Sequence, residues 1–344
     1  MKKSFLLLLA VLSVCFLLPA AARADIDLSA AEAAQIVRTV ISGKGNVDEK
    51  TLADQTRNGV LDETDIRVAL NRCVGLIPDY VAFVDHITTG LCDERLFSVF
   101  SYTGTERQGH NYRSDSVCLT VTSVQEKRLA YYVADIYVQD LEAFSTKLTD
   151  GGANGKYRYV EEVALSTRAL LCVNGDYYKA RPYGPILRNG EWIRENMSRT
   201  RDVCIMDRNG VITTYGPKEL TIDDILEIDP WQYWIFGPKL LDGEGQPMTK
   251  FNSRLTAANP RTAIGYYEPG HYCLVVVDGR QGDYSHGITM KDLSQLFYDL
   301  GCTAAYNLDG GESSAMADRN GLINIPYRNG RILSDFIIIT DPSA

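Results

Sequence analysis

From about residue 95 onward, short runs of β-branched and aromatic residues alternate with glycine- and aspartate-bearing turns, and this constrains the fold more than any other feature. Val117-Cys-Leu-Thr-Val-Thr and Leu129-Ala-Tyr-Tyr-Val-Ala-Asp-Ile-Tyr-Val have the composition and partial alternation of strands. Asp202-Val-Cys-Ile-Met-Asp and Val-Ile-Thr-Thr-Tyr215 flank Arg-Asn-Gly, which predicts a hairpin, since Asn-Gly tolerates the left-handed backbone of a tight turn. Thr221 with Asp224, and Thr289 with Asp292, resemble capping boxes and predict two helices. The second helix runs over Met290–Leu300, with Leu293, Leu296, Phe297 and Leu300 on one apolar face. Strands dominate and helices interrupt them, so the predicted class is α+β.

The first 80 residues read differently. Lys2 and Lys3 precede an apolar run from Phe5 to Leu18, and Ala22-Arg23-Ala24 has the small-x-small pattern of a cleavage site. Residues 1–24 are therefore expected to be a secretory signal peptide and the product to be secreted. Of 344 residues, 45% are hydrophobic and 23% charged, with a net charge of −9, a balance that fits a globular chain and repels nucleic-acid phosphates. Beyond Cys15 there are seven cysteines and no Cys-x-x-Cys, so a zinc ribbon is not indicated. Cys73 with Cys92 is the one disulfide expected, and Cys118, Cys172 and Cys273 fall inside apolar runs as small buried groups.

Residues 25–80 are expected to be a small helical module, and residues 81–344 the main domain. Counted from Asp54, oxygen-bearing side chains fall at Asp54, Thr56, Asn58, Asp62 and Asp65, with Gly59 at the sharp-turn position and the Val60 carbonyl completing the set. A calcium ion needs six to eight oxygens around such a loop. With the helical stretch Asp27–Gly43, this segment resembles a degenerate dockerin of the EF-hand type. The resemblance implies a structural calcium ion and a cohesin-like protein partner. The plainer alternative is a helical pair joined by a solvated acidic turn.

Four further segments set charged groups and turn formers against buried-looking strands: Cys172-Val-Asn-Gly-Asp-Tyr-Tyr, Asn259-Pro-Arg-Thr-Ala-Ile-Gly, Val275-Val-Val-Asp-Gly-Arg with Tyr284-Ser-His-Gly, and Ala305-Tyr-Asn-Leu-Asp-Gly-Gly-Glu-Ser-Ser-Ala-Met316. Strand-end loops are where rigid scaffolds present reactive groups. Asp309 would emerge at such an end, where Gly310 and Gly311 let backbone amides form an anion-binding nest beside Ser313 and Ser314. Arg261 and Arg280 carry planar forks suited to phosphate oxygens, and Asp278, Asp309 and Glu312 supply carboxylates for proton transfer. Taken singly, Asp278-Gly and Asp309-Gly read as simple turns, His271 and His286 as structural histidines, and Trp231-Gln-Tyr-Trp-Ile-Phe as core.

In order, Asn-Gly-Asp-Tyr-Tyr (174–178), Phe-Gly-Pro (236–238), Asn-Pro-Arg-Thr-Ala-Ile-Gly (259–265), Asp-Gly-Arg (278–280), Ser-x-Gly-Ile-Thr (285–289), Leu-Gly (300–301) and Asn-Leu-Asp-Gly-Gly (307–311) resemble the phosphodiester glycosidase family. The resemblance implies cleavage of a sugar-1-phosphodiester at the glycosidic bond in a glycan or cell-surface polymer such as an exopolysaccharide. It places the site on Asn174, Arg261, Thr262, Asp278, Arg280, Asn307, Asp309 and Ser313. Two positions depart from the family pattern: Glu312 stands where a third glycine is common, and Asp176 where glycine is.

Three rival readings remain at this point. One is metal-assisted cleavage of a P–O bond by Asp278, Asp309 and Glu312. Another is a serine nucleophile, Ser313 or Ser285, with His286 and Asp278, although no Gly-x-Ser-x-Gly elbow is present. The last is a secreted, calcium-dependent carbohydrate-binding or assembly protein with a non-catalytic version of the fold.

Overall fold

A computed structural model describes residues 28–57, 59–75, 90–102, 104–149, 156–177, 184–195 and 200–342. The expected signal peptide and Asn58 lie outside these residues. The chain divides into two compact units, Met1–Gly90 with Glu94–Glu106, and Leu91–Asp93 with Arg107–Ala344.

The described part of the first unit is built on three helices, α1 (Ala30–Ser42), α2 (Val47–Ala53) and α3 (Glu63–Cys73). Ser29 caps α1 and Gly43 ends it in the left-handed conformation that glycine adopts without a Cβ clash. Leu28, Ala33, Ile36, Ala53, Ala69 and Cys73 form the small core between the helices. The α2–α3 loop turns its oxygens on its own backbone. Asp54 Oδ2 accepts from Gly59 N–H at 2.8 Å, and Asp62 caps α3 through Thr64 N–H at 2.8 Å. The buried Asp65 accepts from the Thr56 N–H and hydroxyl (3.0 and 3.2 Å) and from Asp62 N–H at 3.0 Å. Among the described residues no three acidic, histidine or cysteine side chains gather as metal ligands; the oxygen set expected from the spacing also counts the Thr56 hydroxyl, the Val60 carbonyl and Asn58, the last outside the described residues.

In the second unit the strands run in chain order as β1 (Glu106–Gln108), β2 (Asn111–Arg113), β3 (Val117–Glu126), β4 (Leu129–Val138), β5 (Phe144–Leu148), β6 (Leu171–Asn174), β7 (Ile186–Arg188), β8 (Glu191–Arg194), β9 (Val203–Asp207), β10 (Ile212–Tyr215), β11 (Pro230–Trp234), β12 (Arg261–Glu268), β13 (His271–Val277), β14 (Ala304–Asn307), β15 (Met316–Asp318), β16 (Gly321–Leu322) and β17 (Asp335–Ile339). Helices α4 (Val160–Thr167), α5 (Ile222–Ile228) and α6 (Met290–Asp299) interrupt them. Three antiparallel sheets result, ordered β1-β2-β3-β4-β13-β12-β14, β10-β9-β11-β7-β8 and β16-β15-β6-β17-β5. The Arg-Asn-Gly hairpin is β9–β10, and Thr221 and Thr289 cap α5 and α6 as their sequences predict.

Residue alternation places the core. Ile264, Leu274, Val276, Ile337, Ile339, Met206 and Trp234 point inward from all three sheets into one cluster. Ala263, Cys273, Val275 and Val277 face outward, where Leu293 and Phe297 of α6 cover them. Helix α4 covers Cys172, Phe336 and Ile338 in the same way. With both faces covered, β13 from Tyr272 and β17 from Phe336 read as continuous apolar runs. The expected Cys73–Cys92 bridge is not formed; Cys92 keeps its thiol, which donates to the Val138 carbonyl at the buried end of β4.

Because the Asp65 carboxylate holds the α2–α3 loop through three buried donors, Asp65→Ala is expected to destabilise the helical unit by about 1–3 kcal/mol. Thermal unfolding followed by helical circular dichroism in the presence of a chelator measures that loss.

Candidate active site

The register between strands assembles the strand-end groups. In β12 and β13, Arg261 pairs with Val277, so Asp278 leaves the sheet beside Arg261. In β12 and β14, Ala263 pairs with Asn307, and Leu308 N–H donates to the Thr262 carbonyl, so Asp309 emerges at the same edge. Strand β6 of the third sheet ends there too: Asp309 N–H donates to the Gly175 carbonyl.

Asn174 ties these ends together. Its amide donates to the Asp309 carbonyl at 2.7 Å, and its Oδ1 accepts from the Thr262 hydroxyl at 2.7 Å and from Ala315 N–H at 3.2 Å. Glycines allow the loops to stack. A Cβ on Gly287 would lie 2.4 Å from the Asn259 carbonyl oxygen, and one on Gly310 would lie 2.9 Å from the Pro260 oxygen. Asn307 donates to the Gly237 carbonyl at 2.8 Å, while its own buried Oδ1 has no partner.

Asp309 is buried, and its carboxylate accepts from Ser313, from Gly310 N–H at 2.9 Å and from Arg331 Nη2 at 2.7 Å. Arg331 also donates to the Ser313 hydroxyl at 2.7 Å and stacks 4.8 Å from the Tyr177 ring centre. Burial pushes the Asp309 carboxyl above the ordinary aspartate range, outweighing the pull of Ser313 and Arg331.

The arginines meet on the other side of the Gly310–Gly311 turn. Arg280 holds a left-handed backbone (φ 58°) and donates to Asn259 Oδ1 at 2.8 Å. Its Nη1 lies 3.3 Å from where a Cβ on Gly311 would sit. Arg261 is buried and donates to two carbonyls, Leu255 at 2.6 Å and Ala257 at 2.9 Å, while its Nε has no partner. Burial, with the like charge of Arg280, pulls the Arg261 guanidinium down to about 10. Two guanidiniums thus lie close enough to repel, one of them buried without a carboxylate partner among the described residues, an arrangement whose charge an anion would offset.

Other expected residues hold the loops in place. Asp278 accepts from Asn324 at 2.7 Å, Tyr284 at 2.9 Å and Ile325 N–H at 3.0 Å; burial raises its carboxyl against those donors. Ser285 donates to the Asp278 carbonyl and accepts from Ala130 N–H, so it does not stand as a nucleophile. Asp176 accepts from Tyr177 and Ile235 N–H groups and lies 3.9 Å from Arg188, which grips Asp335 at 2.7 Å. Glu312 meets Arg328 at 3.3 Å, partly exposed. Asp278, Asp309 and Glu312 therefore engage separate partners, and among the described residues they do not gather as one set of metal ligands. His271 pairs with Asp135 at 2.8 Å between Tyr137 and Tyr267.

Sequence reasoning missed Arg331, Arg328, Arg188 and Asp335. A lone carboxylate leading Phe-Ile-Ile-Ile, and two arginines bracketing Asn329-Gly330, were the signals available.

A family model described as phosphodiester glycosidase matches residues 167–340, just over half of the chain and the interval holding these strand ends. The uncharacterized SPbeta prophage-derived protein YomE of Bacillus subtilis (strain 168) is 32% identical over 126 residues, 36% of this chain; the match spans only 19% of that protein's length. The catalytic domain of zebrafish N-acetylglucosamine-1-phosphodiester alpha-N-acetylglucosaminidase, auto-inhibited by its pro-peptide, superposes with a TM-score of 0.54 at 21% identity, over 69% of this chain and 87% of that one. A hypothetical protein from Synechocystis gives 0.52 at 13% identity, over 66% and 62%. At these identities the structures share the fold.

Arg188→Met leaves Asp335 and Asp176 buried without their cation and is expected to cost about 3–5 kcal/mol at neutral pH. Burial holds the Asp335 carboxyl above the ordinary range, so the loss should shrink as pH falls and that carboxylate takes up a proton. Urea unfolding across pH measures both.

Proposed function

Because the chain belongs to the phosphodiester glycosidase family, we propose that it hydrolyses the glycosidic bond of a sugar-1-phosphodiester. The observation that carries this reading is Arg261: a buried guanidinium with an unpartnered Nε beside a second guanidinium calls for a phosphate. In the proposed reaction Arg261 and Arg280, with the Gly310–Gly311 turn, hold the phosphodiester. The anomeric C–O bond breaks with its electron pair passing to the phosphate oxygen, which leaves as a phosphomonoester. A phosphate is a good leaving group, so no strong acid is needed at that oxygen. Asp309, oriented by Arg331 and Ser313, is the carboxylate that faces the anomeric carbon and draws the proton from the attacking water. The water oxygen ends on the sugar.

The substrate class proposed is a glycan carrying sugar phosphodiesters, which an exported chain would meet at cell surfaces. A structural calcium ion in the α2–α3 loop, with a cohesin-like partner, is a separate proposal for the helical unit that rests on the spacing of Asp54, Asp62 and Asp65. The non-catalytic binding reading is separated by turnover itself.

Incubation with UDP-N-acetylglucosamine and a panel of sugar-1-phosphodiesters in ¹⁸O-water is expected to release sugar carrying the label. Label in the phosphate would establish P–O cleavage instead, and binding without turnover would establish the non-catalytic reading. Asp309→Asn should lower kcat by about 10²–10⁴-fold while the protein stays folded. The Asp309 role needs the ionised form and its carboxyl is raised, so kcat/KM should fall on acidification with a midpoint above that of an ordinary aspartate; an acid limb at or below that value would count against the assignment.

A further inference from the structure

A second cleft, with about 120 Å³ of free space, lies at the other end of β6 from Asn174. It is framed by the β1–β2 hairpin, the turn into β6 at Ala169–Leu170, and the β15–β16 turn. From Leu170 to Asn174 the strand covers about 13 Å at its usual rise, so the cleft is separate from the Asp309 site.

Its polar lining is one-sided. Arg107 lies 4.2 Å over the ring of the buried Tyr112, which fixes the guanidinium at the wall. Arg319 reaches the cleft from the opposite turn. Among the described residues neither arginine is in an ion pair. Asn111 turns its Oδ1 to Val121 N–H at 2.9 Å, which leaves its amide donors for the cleft. The single carboxylate present, Asp318, is buried and fully engaged: Oδ1 accepts from Asn320 N–H at 2.7 Å, and Oδ2 takes His110 Nδ1 at 2.8 Å and Asn320 Nδ2 at 3.2 Å. Two unneutralised guanidiniums and an amide donor thus converge on a chain whose net charge is −9.

We propose that this cleft is an anion-binding subsite for the carboxylate or phosphate substituent of a glycan chain, distinct from the centre at which the glycosidic bond would break. Planar guanidinium forks donate to either oxyanion in bidentate fashion. The free space holds one such substituent with the sugar edge that bears it.

His110 is a built-in reporter, because Asp318 holds its ring at the rim. The test is a titration of the full chain with inorganic phosphate or glucuronate, following the four histidine ring signals by NMR at constant ionic strength, with His110→Asn for assignment. A saturable His110 shift is expected with a millimolar midpoint, while His271, stacked between two tyrosines, stays still. In Arg319→Gln, an exposed change, the midpoint should rise about tenfold or more, as loss of a charge-assisted hydrogen bond implies. A response to glucuronate alone identifies the carboxylate, and one to phosphate alone the phosphate; either supports the subsite. A His110 signal that fails to move at tens of millimolar of both, moves equally with chloride, or is unaffected by Arg319→Gln overturns it. Because His110 does not touch Asp309, this outcome is independent of whether the chain turns over a phosphodiester.

Discussion

Charge buried at one end of the strands is the constraint around which the second unit is organised. Asp309, Asp278, Asp335, Asp176, Arg188 and Arg261 are all buried near the same edge. A buried charge is costly unless hydrogen-bonded and paired, so each dictates its surroundings. Asp335 and Asp176 share Arg188; Asp278 recruits Asn324, Tyr284 and the Ile325 amide; Asp309 takes Arg331 and Ser313. Asn174, uncharged, joins the pieces by answering a carbonyl, a hydroxyl and an amide at once.

Against that background Arg261 stands apart. Its partners are two carbonyls rather than a carboxylate, its Nε is unanswered, and the charge that acts on it is another arginine. The other buried charges named above meet an opposite charge or several donors, whereas this one meets carbonyl oxygens alone. Regions where a fold tolerates such electrostatic conflict are characteristically functional, and here the conflict sits beside Gly287 and Gly310, whose missing side chains let their turns pack closely on Asn259 and Pro260.

Much of the architecture was legible in the chain. The β3 and β4 runs, the β9–β10 hairpin and the capped α5 and α6 follow from local pattern, because each is fixed by side-chain composition within a dozen residues. The α2–α3 loop shows what spacing leaves unsaid: Asp54, Asp62 and Asp65 have the intervals of a calcium loop, and their oxygens also accept from nearby backbone N–H groups, which a count of positions does not reveal. Arg331 and Arg188 were illegible for a related reason: an arginine in a turn or strand declares its charge but not which distant carboxylate it will meet.

By itself the sequence determined an α+β chain with strand-end clusters of glycine, arginine and aspartate, since propensity and turn chemistry are local. It also named Asp309, Arg261 and Arg280 as chemistry-bearing. Only the tertiary structure decided that Asp309 is held by Arg331, that Asp278 clamps a loop, and that Arg107 and Arg319 share a cleft. Those pairings join residues as many as 212 positions apart, and they are set by strand register and by the cost of burying charge, neither of which a single stretch of chain contains.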